Sequence, residues 1–181
     1  MPTSELSNKA YARVGGFTFL FYIAAGMTSM ALGSESQWNG LLSLLQSFSA
    51  FILGVTIFAL TYEQEPILAL FALLCRVAEG VGSGESAIYF SVASLIFSWL
   101  LLRGRSIPLW LGRVGVIASI LLVIILPLQL VGLLGGAMSW ASSITWLVWL
   151  PMLVFEVILA FWLMVKVVNH GQIENRMAPA V

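Results

Sequence analysis

Six apolar segments, each close to the roughly 20 residues that cross a bilayer core, follow one another along this chain of 181 residues. Hydrophobic residues make up 60% of the sequence and charged residues 9%, whereas soluble domains carry about a quarter of their residues as charges. The sequence therefore predicts an all-α polytopic membrane bundle of six transmembrane helices. We expect residues 1–181 to form a single integral membrane domain, with spans over residues 12–32, 41–61, 66–83, 86–102, 110–134 and 143–168.

The positions of the basic residues decide between six and five spans. The third and fourth segments are separated only by a short stretch that contains Gly80, Gly82 and Gly84, so they could also form one span. Basic residues that flank membrane helices lie mostly on the cytoplasmic side. Six spans place all the flanking basic residues on one side, and five do not. We therefore expect six spans in a bacterial plasma (inner) membrane, with both termini in the cytoplasm beside Lys9, Arg13, Arg103, Arg105, Arg113, Lys166 and Arg176.

Net charge and residue usage exclude several classes of function. Eight basic and eight acidic residues give a formal net charge of zero, so no basic excess would attract nucleic acid. Cys75 is the only cysteine and His170 the only histidine, which leaves neither an intrachain disulfide nor a histidine-rich metal or haem site. We expect no nucleic-acid partner, no metal site and no cofactor.

Arg76 lies inside the third apolar segment, where a charged side chain costs about 2.5–3.5 kcal/mol on insertion scales. Glu79 follows three residues later and shares its helical face. Arg76 lies ten residues beyond Pro66, at the predicted cytoplasmic boundary, and is therefore about 15 Å deep. Glu156 lies ten residues inside Lys166, at the same boundary. The equal depths predict a contact between Arg76 and Glu156 across the bundle.

One cation beside two carboxyl groups leaves a surplus negative charge in a medium that tolerates it poorly. We therefore expect one carboxyl group, on Glu79 or Glu156, to hold a proton. Such a buried acid could serve as a general acid or a proton relay. Alternatively, Arg76 and the two glutamates form a polar clamp that only fixes helix packing.

Several residues near these charges are candidates for binding a substrate. Trp149 lies seven residues before Glu156 on nearly the same helical face, and an aromatic wall there would stabilise a cation. Glu85 and Tyr89 share a face where the fourth segment begins, although a glutamate in a first helical turn commonly complements the helix dipole. Two amides inside apolar segments could also form hydrogen bonds within the bundle, namely Gln46 and Gln129.

The connection between the fourth and fifth segments carries three arginines, Arg103, Arg105 and Arg113. Arginines beside a tryptophan suit anionic lipid headgroups, so we expect membrane lipids as partners there. A cytoplasmic connection would also carry basic residues for topology alone, which is the alternative explanation.

Three sequence elements resemble one bacterial family of membrane proteins. They are Ala12-Arg13-Val14-Gly15-Gly16 in the first segment, Cys75-Arg76-Val77-Ala78-Glu79 in the third, and Pro108 with Leu111-Gly112-Arg113 entering the fifth. In order and spacing over residues 10–168, the chain resembles the six-span family domain-of-unknown-function 4386, of which the Arg-x-x-Glu element is characteristic. The resemblance implies a six-helix architecture and its topology, and it implies no activity.

Three classes of function remain open. The leading hypothesis is a site of Arg76, Glu79 and Glu156 that binds or acts on a lipidic or isoprenoid-like hydrophobic small molecule, by acid-initiated isomerisation or cyclisation if it is an enzyme. The second is a small transporter or proton-coupled carrier that uses the same carboxyl groups. The third is an accessory or assembly subunit of a membrane complex, or a homo-oligomer, in which these charges only hold the bundle. An elongated apolar cavity ending at the carboxyl groups would favour the first hypothesis, and a closed, dry cluster would favour the clamp.

Overall fold

The structure, a computed structural model, describes the backbone of residues 3–33, 35–82, 85–134 and 143–177. Within these ranges all regular structure is α-helical, which confirms the predicted all-α class for this part of the chain. Each apolar segment predicted from the sequence overlaps one helix. The helices are α1 (Thr3–Leu32), α2 (Asn39–Thr61), α3 (Pro66–Val81), α4 (Ser86–Arg103), α5 (Leu109–Leu130) and α6 (Ser143–Met177).

Five helices in the described ranges are long and apolar enough to cross a membrane, which fits an integral membrane protein. They are Lys9–Leu32 of α1, the whole of α2, α4 and α5, and Thr145–Val165 of α6. The remaining helix, α3, has 16 residues. It therefore measures about 24 Å, against about 30 Å for the hydrocarbon core. It ends at Val81 because Gly82 adopts the left-handed conformation, with φ 78°.

The six helices close into a ring in sequence order. Each helix packs against the next, α6 packs back against α1, and α2 also contacts α4. The short connections between α2 and α3 and between α4 and α5 suit antiparallel neighbours. A Cβ built on Gly104, after α4, would touch Gln64 before α3, so these two connections meet at the same end of the bundle. Ring closure gives the molecule a central interior that helices on opposite sides reach only with their side chains.

Five basic residues whose side chains the structure describes lie at one end of the bundle. We call it the basic end, and it carries Lys9, Arg13, Arg103, Arg105 and Arg113. Glu35 and Glu85 lie at the opposite end. Glu65 lies at the basic end as well, where it pairs with Arg103.

Close glycine contacts hold α1 to α6 and α2 near the basic end. A Cβ on Gly16 would lie 2.7 Å from the carbonyl oxygen of Ala160 and 2.8 Å from Cγ of Met164. A Cβ on Gly15 would lie 3.2 Å from Oγ1 of Thr56. Small residues that let backbones approach are a common means of packing membrane helices. The contact at Gly16 closes the space between α1 and α6 on this side of the bundle centre.

Candidate functional site

Arg76 and Glu79 of α3 and Glu156 of α6 lie together in the centre of the ring, where they are 1%, 8% and 4% exposed. Nη1 of Arg76 donates a hydrogen bond to Oε2 of Glu79 over 2.9 Å. Nη2 of Arg76 lies 3.8 Å from Oε1 of Glu156. The contact between Arg76 and Glu156 that the sequence predicts is therefore present. Because α3 and α6 are not neighbours in the ring, these side chains bridge its interior.

Two hydroxyl groups that the sequence did not single out complete this arrangement. Tyr22 of α1 donates a hydrogen bond from its hydroxyl to Oε1 of Glu79 over 2.8 Å. Nη2 of Arg76 donates to Oγ of Ser94 in α4 over 3.4 Å. We call Tyr22, Arg76, Glu79, Ser94 and Glu156 the central cluster. It links four of the six helices, α1, α3, α4 and α6.

The depth of Tyr22 and Ser94 along their helices is the signal that could have found them. Tyr22 lies nine residues inside Arg13, and Ser94 lies nine residues inside Arg103. At about 1.5 Å per residue, both are about 13 Å from the basic end, close to the depth of Arg76. Because serine and tyrosine are common in membrane helices, residue type alone did not identify Tyr22 and Ser94 as members of the site.

Aromatic rings cover the cation and extend toward the acid. Cζ of Arg76 lies 4.7 Å from the ring centroid of Phe90, and a desolvated contact of this kind contributes about 2 kcal/mol. Trp149 of α6 stands against Phe90 with a centroid separation of 5.1 Å. Trp149 and Phe90 together therefore form an aromatic surface beside Glu156, and Phe90 joins that surface to the guanidinium.

The two carboxyl groups of the central cluster are held differently. Glu79 accepts a hydrogen bond on each oxygen, one from Tyr22 and one from Arg76. Oε1 of Glu156 has no hydrogen-bond partner among the described residues, and its 3.8 Å separation from Arg76 exceeds hydrogen-bond distance. Hydrogen bonds and a close cation favour an ionised carboxylate. The geometry therefore favours a charged Glu79 and leaves Glu156 as the carboxyl group suited to hold the surplus proton.

A cavity of about 140 Å³ lies between α1 and α6, on the side of the central cluster away from the Gly16 contact. Its walls are mostly apolar and aromatic, and Glu156, Tyr22 and Gln46 bring polar groups to it. Met27 and Leu150 line it and are about half exposed, so the cavity reaches the bundle surface. The other lining residues are Ile23, Gly26, Met30, Gln46, Phe90, Trp146, Trp149 and Leu153.

Two of the five residues predicted to bind substrate, Trp149 and Gln46, line this cavity. Gln46 fits there because Gly26 faces it: a Cβ on Gly26 would lie 2.7 Å from Nε2 of Gln46. The structure does not bring the other three to the cavity. Glu85 and Tyr89 are exposed at the start of α4, and Gln129 is buried in α5.

The three arginines predicted to meet lipid headgroups are exposed at the basic end. Nη1 of Arg103 donates to Oε1 of Glu65 over 2.6 Å, which joins the end of α4 to the start of α3. Exposed ion pairs of this kind contribute at most about 1 kcal/mol. Arg105 lies in the turn after α4, and Arg113 lies near the start of α5. Their exposure leaves all three accessible to lipid.

Across the described ranges, no group of histidine, cysteine, aspartate and glutamate side chains could hold a metal ion. Comparison with family models, curated proteins and solved structures gives no match for this chain. The resemblance to domain-of-unknown-function 4386 therefore stays a prediction, and the functional proposal rests on the site itself.

Glutamine substitutions at the two buried carboxyl groups should differ in their effect on stability. Glu79→Gln removes the charge from two hydrogen bonds, so we expect it to lower the free energy of unfolding by about 2 kcal/mol. Glu156→Gln replaces a neutral acid with a neutral amide of similar shape, and we expect a change below about 1 kcal/mol. Unfolding in mixed micelles measures both, with exposed Glu85→Gln as the control. A larger loss for Glu156→Gln than for Glu79→Gln would overturn the assignment of charge.

Proposed function

We propose that this chain is a six-span protein of the bacterial plasma membrane whose cavity binds a hydrophobic small molecule with one end at Glu156. The observation that carries the proposal is the cavity between α1 and α6, whose apolar walls meet the Glu156 carboxyl group and the Tyr22 hydroxyl. Small-molecule sites are typically concave and mostly apolar, with a few polar groups that fix the orientation of the ligand. This cavity has that composition.

The volume of the cavity limits what it can enclose. An engineered apolar cavity of about 150 Å³ binds benzene, so this one would enclose a group of about six carbon atoms. A longer lipid or isoprenoid chain would place only one end in the cavity. The remainder would lie along the bundle surface between α1 and α6, against Met27 and Leu150. The ligand would enter between Met27 and Leu150, where the cavity reaches the bundle surface, and not past the close contact at Gly16.

Glu156 is the residue that would carry chemistry if the site is enzymatic. It lines the cavity beside Trp149 and Phe90, whereas Arg76 and Glu79 do not line it. A neutral Glu156 could protonate an alkene, and the aromatic faces would stabilise the resulting carbocation. Loss of a proton from a neighbouring carbon to the Glu156 carboxylate would complete an isomerisation and restore the acid. Turnover that survives Glu156→Gln would exclude this enzymatic form of the proposal.

A proton-coupled carrier is the second candidate, and Pro151 favours it. This proline lies inside α6 between the cavity-lining residues Leu150 and Leu153. Proline removes a helical hydrogen bond and so weakens the helix locally, while α6 continues through this position from Ser143 to Met177. A hinge at Pro151 would let the start of α6 move while the Gly16 contact holds its other half against α1.

Six spans predict that consecutive connections lie on alternate sides of the membrane, with both termini in the cytoplasm. Glu63 and Glu85, which flank α3, are exposed and provide sites for cysteine in a Cys75→Ser background. A membrane-impermeant thiol reagent should label Glu85→Cys in intact cells and Glu63→Cys only after permeabilisation. Equal labelling of both variants in intact cells would show that α3 does not cross the membrane.

Filling the cavity should prevent binding of an apolar probe. Leu153→Phe adds bulk inside the cavity, whereas Val154→Phe adds the same ring at a neighbouring position that is 45% exposed and does not line it. The probe is a diazirine with an alkyl group of about six carbons, photoactivated on protein in phosphatidylcholine nanodiscs. We expect labelling of Glu156 and Met27 in the wild type and in Val154→Phe, and loss of most of it in Leu153→Phe. Equal labelling in the two variants, or none at these residues in the wild type, would contradict the proposed site.

A further inference from the structure

The net charge of the central cluster restricts which ligands the cavity can accept. The cluster contains one guanidinium and two carboxyl groups, all nine-tenths buried or more. With a proton on Glu156 the charges sum to zero, and with both glutamates ionised they sum to minus one. Apolar surroundings strongly disfavour an uncompensated charge. The cluster therefore has two neutral states: one with a proton on Glu156, and one with a monovalent cation beside the ionised carboxylate.

Few charged or titratable groups face Glu156 from the surrounding helices. Among the described residues they are Tyr22 of α1 and Arg76 and Glu79 of α3. The groups that α2 and α4 bring to the two cavities beside Glu156 are uncharged, and α5 brings none. A cationic ligand can therefore keep the cluster neutral by replacing the proton on Glu156.

The fixed cation does not occupy the place where a ligand would lie. Arg76 lines a separate small cavity of about 10 Å³ and does not line the larger one. It is held there by Glu79 and covered by Phe90. A ligand entering between α1 and α6 would therefore meet Glu156, which lines the larger cavity, before it approached Arg76.

The walls of the cavity suit an organic cation. Trp146, Trp149 and Phe90 line it, and aromatic faces attract alkylammonium groups through the ring quadrupole. Met27 and Leu150 would contact the apolar part of such a ligand. A neutral hydrocarbon would contact these aromatic faces but would make no electrostatic interaction with the Glu156 carboxyl group that also lines the cavity.

We infer that the cavity binds a hydrophobic monovalent cation, an alkylammonium or arylammonium, whose charged group takes the place of the proton on Glu156. The inference rests on the proposed function and specifies its ligand. One cation enters as one proton leaves, so the site remains neutral in both states. A neutral molecule of the same shape would leave the proton in place and bind through apolar contacts alone. Exchange of this kind is the elementary step of a proton-coupled carrier.

Phenyltrimethylammonium and tert-butylbenzene test the inference, because they have the same shape and differ by one positive charge. Calorimetric titration of the detergent-solubilised protein with the cation, in two buffers of different ionisation enthalpy, measures the protons released. We expect the wild type to release about one proton per cation bound and to bind about tenfold more weakly for each unit of lower pH where Glu156 is protonated. Glu156→Gln should lose all proton release and at least about tenfold in affinity, whereas Glu85→Gln should match the wild type.

Photolabelling of Met27 by the alkyl diazirine, with tert-butylbenzene as competitor, reports apolar occupancy independently of charge and of the Glu156 carboxyl group. Glu156→Gln should retain this labelling, which also shows that the variant is folded. Cation binding without proton release, or equal affinity in Glu156→Gln, would overturn the inference and leave the proposed function standing. Labelling that tert-butylbenzene prevents, with no binding of the cation, would have the same meaning. A wild-type protein that shows neither cation binding nor photolabelling of Met27 would overturn the inference together with the proposed function.

Discussion

The hydrogen-bonded ion pair between Arg76 and Glu79 is the interaction on which the rest of the structure depends. A guanidinium in the centre of an apolar bundle requires an ionised partner, and Glu79 supplies one at 2.9 Å. Tyr22 satisfies the second oxygen of that carboxylate, and Phe90 covers the guanidinium. Because this pair is balanced in charge, Glu156 is left as a carboxyl group without a cation of its own. This second carboxyl group is the one that lines the cavity.

The geometry of the central cluster fits both roles that the sequence left as alternatives. The ion pair of Arg76 and Glu79 suits the packing role. The cluster links α3, which has only 16 residues, to α1, α4 and α6. Its Glu156 side meets a cavity that reaches the bundle surface. A clamp that needed only to fix packing would have no use for a second buried carboxyl group beside an apolar cavity. The structural role therefore belongs to the ion pair, and the proposed function belongs to the remaining acid.

The helices and the contact between Arg76 and Glu156 could be predicted from the sequence, whereas features that depend on how the helices pack could not. Apolar length defines membrane helices, and counting residues from basic boundaries gives depth, so both could be predicted. The direction in which a side chain points could not, which is why Glu85 and Tyr89 were grouped with the site although they are exposed at the start of α4. The cavity depends on α1 and α6 touching at Gly16 and leaving space further along, a property of two packed surfaces. The third helix ends at Val81, two residues before the end of the predicted span, because Gly82 adopts the left-handed conformation.

The proposed site requires that Glu156 holds a proton beside an ionised Glu79. Infrared spectroscopy tests it most directly, because the carbonyl stretch of a protonated carboxyl group is separate from the carboxylate bands and shifts with hydrogen bonding. We expect a band from a carboxyl group with weak hydrogen bonding in the wild type, absent in Glu156→Gln and unshifted in Tyr22→Phe, since Tyr22 donates to Glu79. A wild-type protein without such a band, a band that survives in Glu156→Gln, or a band that shifts in Tyr22→Phe would contradict the claim.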